Sequence, residues 1–153
     1  MANPGPAVQN STHPSNLNSQ QALRVLGVLK GVSTAAAADF AVQINNSALY
    51  VPVSVVVANA NNNGATVSVA SVNLGVYTAV AKGGATSILT AAALTGQTTP
   101  SYVTISAASN PNTAQSAQTV YVNISTAFAT ATVDVYIYGY DLSPGFYLSL
   151  IHI

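Results

Sequence analysis

Val51, Val53, Val55 and Val57 recur at every second position, and the same alternation returns along most of the chain. A period of two belongs to a strand with one buried face, whereas an amphipathic helix repeats every three to four residues. Leu23 to Val32 reads as a strand or a short helix, with Gly27 and Gly31 weighing against the helix. Ala35 to Ala38 has high helix propensity but is too short to nucleate alone. Phe40 to Ile44 reads as a strand, and Leu49 to Ala58 as a long one with its four valines on one face. Asn59 to Gly64 is polar and reads as a loop.

Thr66 to Ala79 alternates again through Val67 and Val69, then Val72, Leu74 and Val76, so a turn or bulge is expected near Ala70. Lys82-Gly83-Gly84 marks a turn. Thr86 to Leu94 reads as a strand followed by a short helical turn. Tyr102 to Ala107 reads as a strand with Val103 and Ile105 inward, and Ser109 to Ser116 as a loop around Pro111. Thr119 to Ser125 presents Val120, Val122 and Ile124 on one face. Thr130 to Tyr140 presents Val133, Val135 and Ile137 on one face, with Asp134, Tyr136 and Tyr138 on the other.

About eight short strands at this spacing, with no alternation of strand and helix, predict an all-β antiparallel β-sandwich, jelly-roll or Ig-like. Periodicity does not choose between those topologies. The expected organisation is an extended polar N-terminal arm over residues 1–20, a sandwich domain over 21–142, and an apolar C-terminal strand or tail over 143–153. The arm is rich in Pro, Asn and Ser and has little to bury, so it is expected to lie on a neighbouring subunit or partner.

Charge narrows the function. The 153 residues carry three basic and three acidic side chains, 4% of the chain, with no net charge. An ordinary soluble domain has roughly 25%. Binding nucleic acid through its phosphates needs a patch of Lys and Arg that Arg24, Lys30 and Lys82 cannot supply. There is no cysteine, and His13 and His152 stand at opposite ends, so neither a metal site nor another cofactor is expected. The longest apolar run, Val51 to Ala60, is interrupted by Pro52, Ser54 and Asn59, and falls short of the about 20 residues a membrane-spanning helix needs. The N-terminus lacks a basic start and an apolar core, so no secretory signal is read there and synthesis in a cytoplasm is expected.

Catalysis has little to work with. A glycosidase needs two carboxylates flanking one bond, and only Asp39, Asp134 and Asp141 are available. Asp141, in Tyr-Asp-Leu-Ser-Pro-Gly, has the context of a turn organiser. Asp39 falls at a cap or turn position, and Asp134 is placed to accept a tyrosine hydroxyl. No serine sits in a G-x-S-x-G elbow, and Gly83-Gly84 lacks the Lys-Ser/Thr of a phosphate-binding loop. No catalytic residue is expected.

The candidate sites are interfacial. Tyr121, Tyr136 and Tyr138 lie opposite the Val/Ile faces of their strands. If those strands are adjacent, the rings form one aromatic face with Asp134. Such a face suits a protein interface, a cover from the chain's own terminal segment, or stacking on sugars. The tail, with Phe146, Tyr147, Leu148, Leu150 and Ile151, is too apolar to be left exposed and is expected to add to a sheet of its own or a neighbouring subunit.

Several elements occur in a telling order. Asp39 precedes Val42-Gln43-Ile44. A strand ends Val55-Val-Val-Ala-Asn59, Leu74-Gly-Val-Tyr-Thr-Ala79 precedes Gly83-Gly-Ala-Thr-Ser-Ile88, and Val120-Tyr-Val122 leads to Ala131-Thr-Val-Asp-Val-Tyr-Ile-Tyr-Gly139. Over residues 39–142 this series resembles small virion proteins of tailed bacteriophages, of the head decoration or capsid cement type. Such proteins often have a Gln-Gly turn before the last core strand, where this chain has Ala127-Phe128-Ala129.

The resemblance implies a β-sandwich and a non-enzymatic structural protein on the outer surface of the virion capsid. It implies binding to the major capsid protein and self-association into a homo-oligomer, trimer favoured, with no nucleic-acid or membrane partner. The alternatives are a carbohydrate-binding module and a tail or fibre subunit.

Overall fold

The structure, a computed structural model, describes residues 23–44, 47–82, 86–98, 103–128 and 130–143. Nine strands follow one another: β1 (Arg24–Ser33), β2 (Ala38–Gln43), β3 (Tyr50–Asn62), β4 (Ala65–Thr66), β5 (Asn73–Tyr77), β6 (Ser87–Ala93), β7 (Thr104–Ala107), β8 (Thr119–Thr126) and β9 (Thr132–Asp141). A single 3-10 turn, Val80–Lys82, interrupts them among the described residues. The N-terminal arm and residues 144–153, including Phe146, Tyr147, Leu148, Leu150 and Ile151, lie outside the described residues.

The strands form two antiparallel sheets. One runs β1-β9-β3, with β4 and β7 on the far edge of β3, and the other runs β2-β8-β5-β6. Apart from the two-residue β4, the partners are nested: β1 with β9, β2 with β8, β3 with β7, β5 with β6. Nested hairpins split over two packed sheets are a jelly roll, which decides the topology that alternation left open.

The core lies between the sheets. Val55 and Val57 of β3 and Val133, Val135 and Ile137 of β9 face Leu74 and Val76 of β5 and Val120, Val122 and Ile124 of β8, all with almost no exposure. Each such side chain contributes roughly 1.5–3 kcal/mol relative to an exposed one. Tyr50 is also fully buried and ties the long connection before β8 to the core. It exchanges backbone bonds with Gln115 in both directions, and its hydroxyl donates to Ala117 O at 2.7 Å.

The structure decides two open readings and corrects several others. The segment that read as strand or helix is strand β1, and Ala35 to Ala37 are exposed residues between strands, with no helix. The four valines of β3 do not share a face. Pro52 and Ser54 both pair with β9, opposite Gly139 and Tyr138, which leaves Val53 in a bulge and turns Val51 outward beside Tyr140. A proline cannot donate to the ladder, so it sits where the ladder is already broken.

Strand β3 also runs through Asn59 to Asn62, where a loop was expected, and turns only at Asn63-Gly64, both at positive φ (49° and 88°). That is the signature of a tight I′-type hairpin turn. Residues 86–94 show no helical turn, since β6 continues to Ala93. Val103 and Ile105 point outward rather than inward: Ile105 pairs with Val56 and is 71% exposed. The break near Ala70 is present as a turn between Val69 and Val72.

Gly139 marks the tightest packing. A Cβ built there would collide with Val51 O and stand 2.6 Å from Leu26 Cδ1 and 3.0 Å from Pro52 Cα. Backbone cannot yield as a flexible side chain can. Gly139→Ala is therefore expected to cost about 2–3 kcal/mol, read as a lower urea midpoint at unchanged slope. Wild-type stability in that variant would contradict the packing described here.

Candidate functional site

Strand β9 is central in its sheet and carries three of the predicted interface residues, Asp134, Tyr136 and Tyr138. Its odd-numbered positions point to the core, and Asp134, Tyr136, Tyr138, Tyr140 and Leu142 point out. The pairing extends this outer face sideways. Val28, Tyr136, Val56 and Ile105 form one row across four strands, and Val25, Tyr138, Ser54 and Ala107 form the next. Tyr140 beside Val51, then Leu142 beside Leu49, continue it to the end of the described chain. Only Asp134 and Lys30 bring charge to this face.

The single aromatic face does not form. Tyr121 is on β8, in the other sheet, so its ring points to the opposite side of the sandwich from Tyr136 and Tyr138. Strands β8 and β9 follow each other in sequence, but nesting sends consecutive strands to different sheets. Tyr121 instead pairs with Ala41 and Tyr77. The Tyr77 ring lies over Gly75, where a Cβ would meet it at 2.7 Å, and Lys82 Nζ stands 5.3 Å from its centroid. Lys82 is thus an exposed turn residue with a cation–π contact.

Asp134 accepts no tyrosine hydroxyl. Its Oδ1 accepts the Gly31 N–H at 2.8 Å and its Oδ2 accepts the Asn59 amide at 3.1 Å. Both partners have positive φ, 68° and 56°, and sit in the bulges that β1 and β3 carry on either side of β9. The carboxylate therefore braces two irregular strands at once.

The other carboxylates are used similarly. Asp39 accepts Ala81 N–H at 2.8 Å and Asn123 Nδ2 at 2.7 Å, tying β2 to the turn after β5 and to β8. Asp141 pairs with Arg24 at 3.0 Å and accepts Ser143 N–H at 2.9 Å, the turn role its context implied. No two of these carboxylates are held around a common bond, because each is committed to a different part of the frame.

Among the described residues, no three His, Cys, Asp or Glu gather as metal ligands. A cleft of about 220 Å³ lies between Ser33, Asn61 to Asn63, Thr130 and Thr132. Asn61 Oδ1 there is occupied by Gly64 N–H. No helix among the described residues is long and apolar enough to cross a membrane.

The sequence reading missed Val28, Val51, Val56, Val103 and Ile105 as outer-face residues. For Val51 the available signal was Pro52, whose presence inside an apolar run marks a bulge and hence a change of face. Ile105 had no such signal, since a four-residue edge strand is too short for alternation to fix its phase.

No family model matches the chain, and no curated protein matches it. Among solved structures, a chain assigned as an alpha-L-fucosidase from Bacteroides thetaiotaomicron is similar to it over 90% of its length, at 9% identity and a TM-score of 0.46. The match covers 27% of that larger chain. The jelly-roll assignment rests on the strand pairing alone.

Two outcomes follow from these interactions. Asp134→Ala removes the acceptor for two donors and is expected to cost about 1–3 kcal/mol, with faster hydrogen exchange at the Gly31 amide as the local sign; unchanged exchange there would contradict the brace. Burial pushes the Tyr50 hydroxyl from 10.0 up to about 12. The neutral phenol is favoured by folding, so its contribution is complete below pH 10 and is lost as pH rises toward 12. The loss is about 1.4 kcal/mol per pH unit across that window. Urea midpoints at increasing alkaline pH should fall more steeply in the wild type than in Tyr50→Phe, and parallel curves would contradict the assignment.

Proposed function

We propose that this chain is a non-enzymatic structural subunit of a tailed-bacteriophage particle, a decoration protein on the outside of the capsid that binds the major capsid protein and stabilises the head. The resemblance over residues 39–142 supports this reading. The observation that carries the reading is how the few charges are used. All six charged residues are described, and the three carboxylates are tied to backbone or side-chain donors within the fold. Arg24 is paired to Asp141. Only Lys30 and Lys82 stand as exposed charges.

A free monomer relies on surface charge for colloidal stability. A surface of Ser, Thr, Asn, Gln and Ala, with apolar rows between, suits a subunit that spends its life assembled. We read it as a homo-oligomer, trimer favoured, held by apolar burial and uncharged hydrogen bonds. A sugar-binding reading keeps Tyr136, Tyr138 and Tyr140 of β9 as its platform and loses Tyr121, which faces the other way.

Attachment built this way has little Coulomb attraction to screen. Occupancy on particles should stay constant from about 0.01 M to about 1 M salt, while the screening length falls from about 30 Å to about 3 Å. Sedimentation of particles followed by quantitation of the bound protein checks this. Release at moderate salt would contradict the proposal.

A further inference from the structure

The β3–β4 hairpin turns on Asn63-Gly64, the one Asn-Gly pair in the sequence. It is the only place where an asparagine amide is followed by a residue with no side chain. Both turn residues are exposed. The hairpin beyond them is short, with Asn61 opposite Thr66 and Asn62 opposite Ala65. The side-chain amide of Asn63 makes no hydrogen bond among the described residues.

An asparagine in this position can react with its own backbone. The Gly64 nitrogen, after losing its proton to solvent, attacks Asn63 Cγ and closes a five-membered imide. The Cγ–Nδ2 bond breaks, and Nδ2 takes up protons from solvent and leaves as ammonia. Water then opens the ring. Cleavage between the Gly64 nitrogen and Cγ gives aspartate. Cleavage between that nitrogen and the Asn63 carbonyl carbon gives isoaspartate. Nothing is oxidised or reduced, and water is the only co-reactant. A glycine leaves the attacking nitrogen unshielded.

The fold controls the first step. Gly64 N–H donates to Asn61 Oδ1 at 2.6 Å. That bond keeps the proton on the nitrogen and holds the nitrogen to Asn61. Asn61 is itself fixed: it is half-buried and pairs with Thr132 of the central strand β9. The turn must therefore release the Gly64 N–H before the ring can close. The cost of breaking one hydrogen bond is added to the barrier.

We propose that Asn63 is a self-modification site and that Asn61 is the positioning residue that sets its rate. The product matters because charge is so scarce. Three acidic and three basic side chains balance, so one new carboxylate leaves the chain with a net negative charge. It appears in the cleft beside Ser33, Thr130 and Thr132, whose lining carries no charged side chain. Asp-Gly suits a I′ turn as well as Asn-Gly does, so aspartate keeps the hairpin. Isoaspartate lengthens the backbone by a carbon and disturbs the pairing of Asn62 with Ala65. The inference does not depend on the capsid reading.

Incubation of the full chain at mildly alkaline pH, followed by isoelectric focusing and peptide mass mapping, tests this. Asn63→Asp provides the focusing standard. An acidic form should accumulate, heavier by the difference between an amide and an acid, with the change at Asn63. Its rate should rise in proportion to hydroxide, because the reacting nitrogen must first lose its proton. Asn61→Ala should convert about fivefold faster than the wild type, within what one neutral hydrogen bond supplies. The chain unfolded in urea should be fastest of all. Asn61→Asp keeps an acceptor for the Gly64 N–H and should be no faster than the wild type, which separates loss of the bond from any general loosening of the hairpin. Equal acceleration in Asn61→Ala and Asn61→Asp would overturn the role of Asn61. Conversion at another asparagine instead, or none at Asn63 in Asn61→Ala while the urea-unfolded chain converts, would overturn the site.

Discussion

One carboxylate sets the frame of the larger sheet. Asp134 sits on the central strand β9 and accepts from Gly31 on one neighbour and Asn59 on the other. Both neighbours carry an extra residue there, and an extra residue is what allows a strand to slip. A slip of one position would send every inward side chain to the outer face. By holding both bulges against β9, the brace supports the register that burial of Val133, Val135 and Ile137 already favours. That register leaves Tyr136, Tyr138 and the apolar rows beside them on the outer face.

Much of the architecture was legible in the chain. Period-two runs on β8 and β9 placed Val120, Val122, Ile124, Val133, Val135 and Ile137 in the core, because those strands are regular and long enough for phase to be unambiguous. The reading failed where the ladder is irregular or short. Around Pro52 a bulge reverses the phase, and at Ile105 only four residues are available. Strand order was the other gap. Alternation says which face a side chain takes within its own sheet, but it carries no information on which sheet the strand joins. Tyr121 was grouped with Tyr136 and Tyr138 for that reason. The roles of the acidic residues were partly visible: Asp141 in its turn context was, whereas the partners of Asp134 depend on bulges that local sequence did not reveal.

The scarcity of charge thus has two sides. Within the domain's own bonding, the acidic groups hold irregular backbone and turns, where charge-assisted hydrogen bonds are the strongest available. Outside, little is left to keep monomers apart or to steer a charged ligand. A fold built this way is suited to contacts made by shape, apolar burial and amide or hydroxyl hydrogen bonds. Such contacts are insensitive to salt.

The proposal makes the protein a head decoration subunit. Electron cryo-microscopy of tailed-phage particles assembled with and without this chain tests it most directly. The account predicts jelly-roll density in symmetric clusters on the outer surface of the capsid, in contact with the major capsid protein. Density repeating along the tail, or none on the particle, would contradict it.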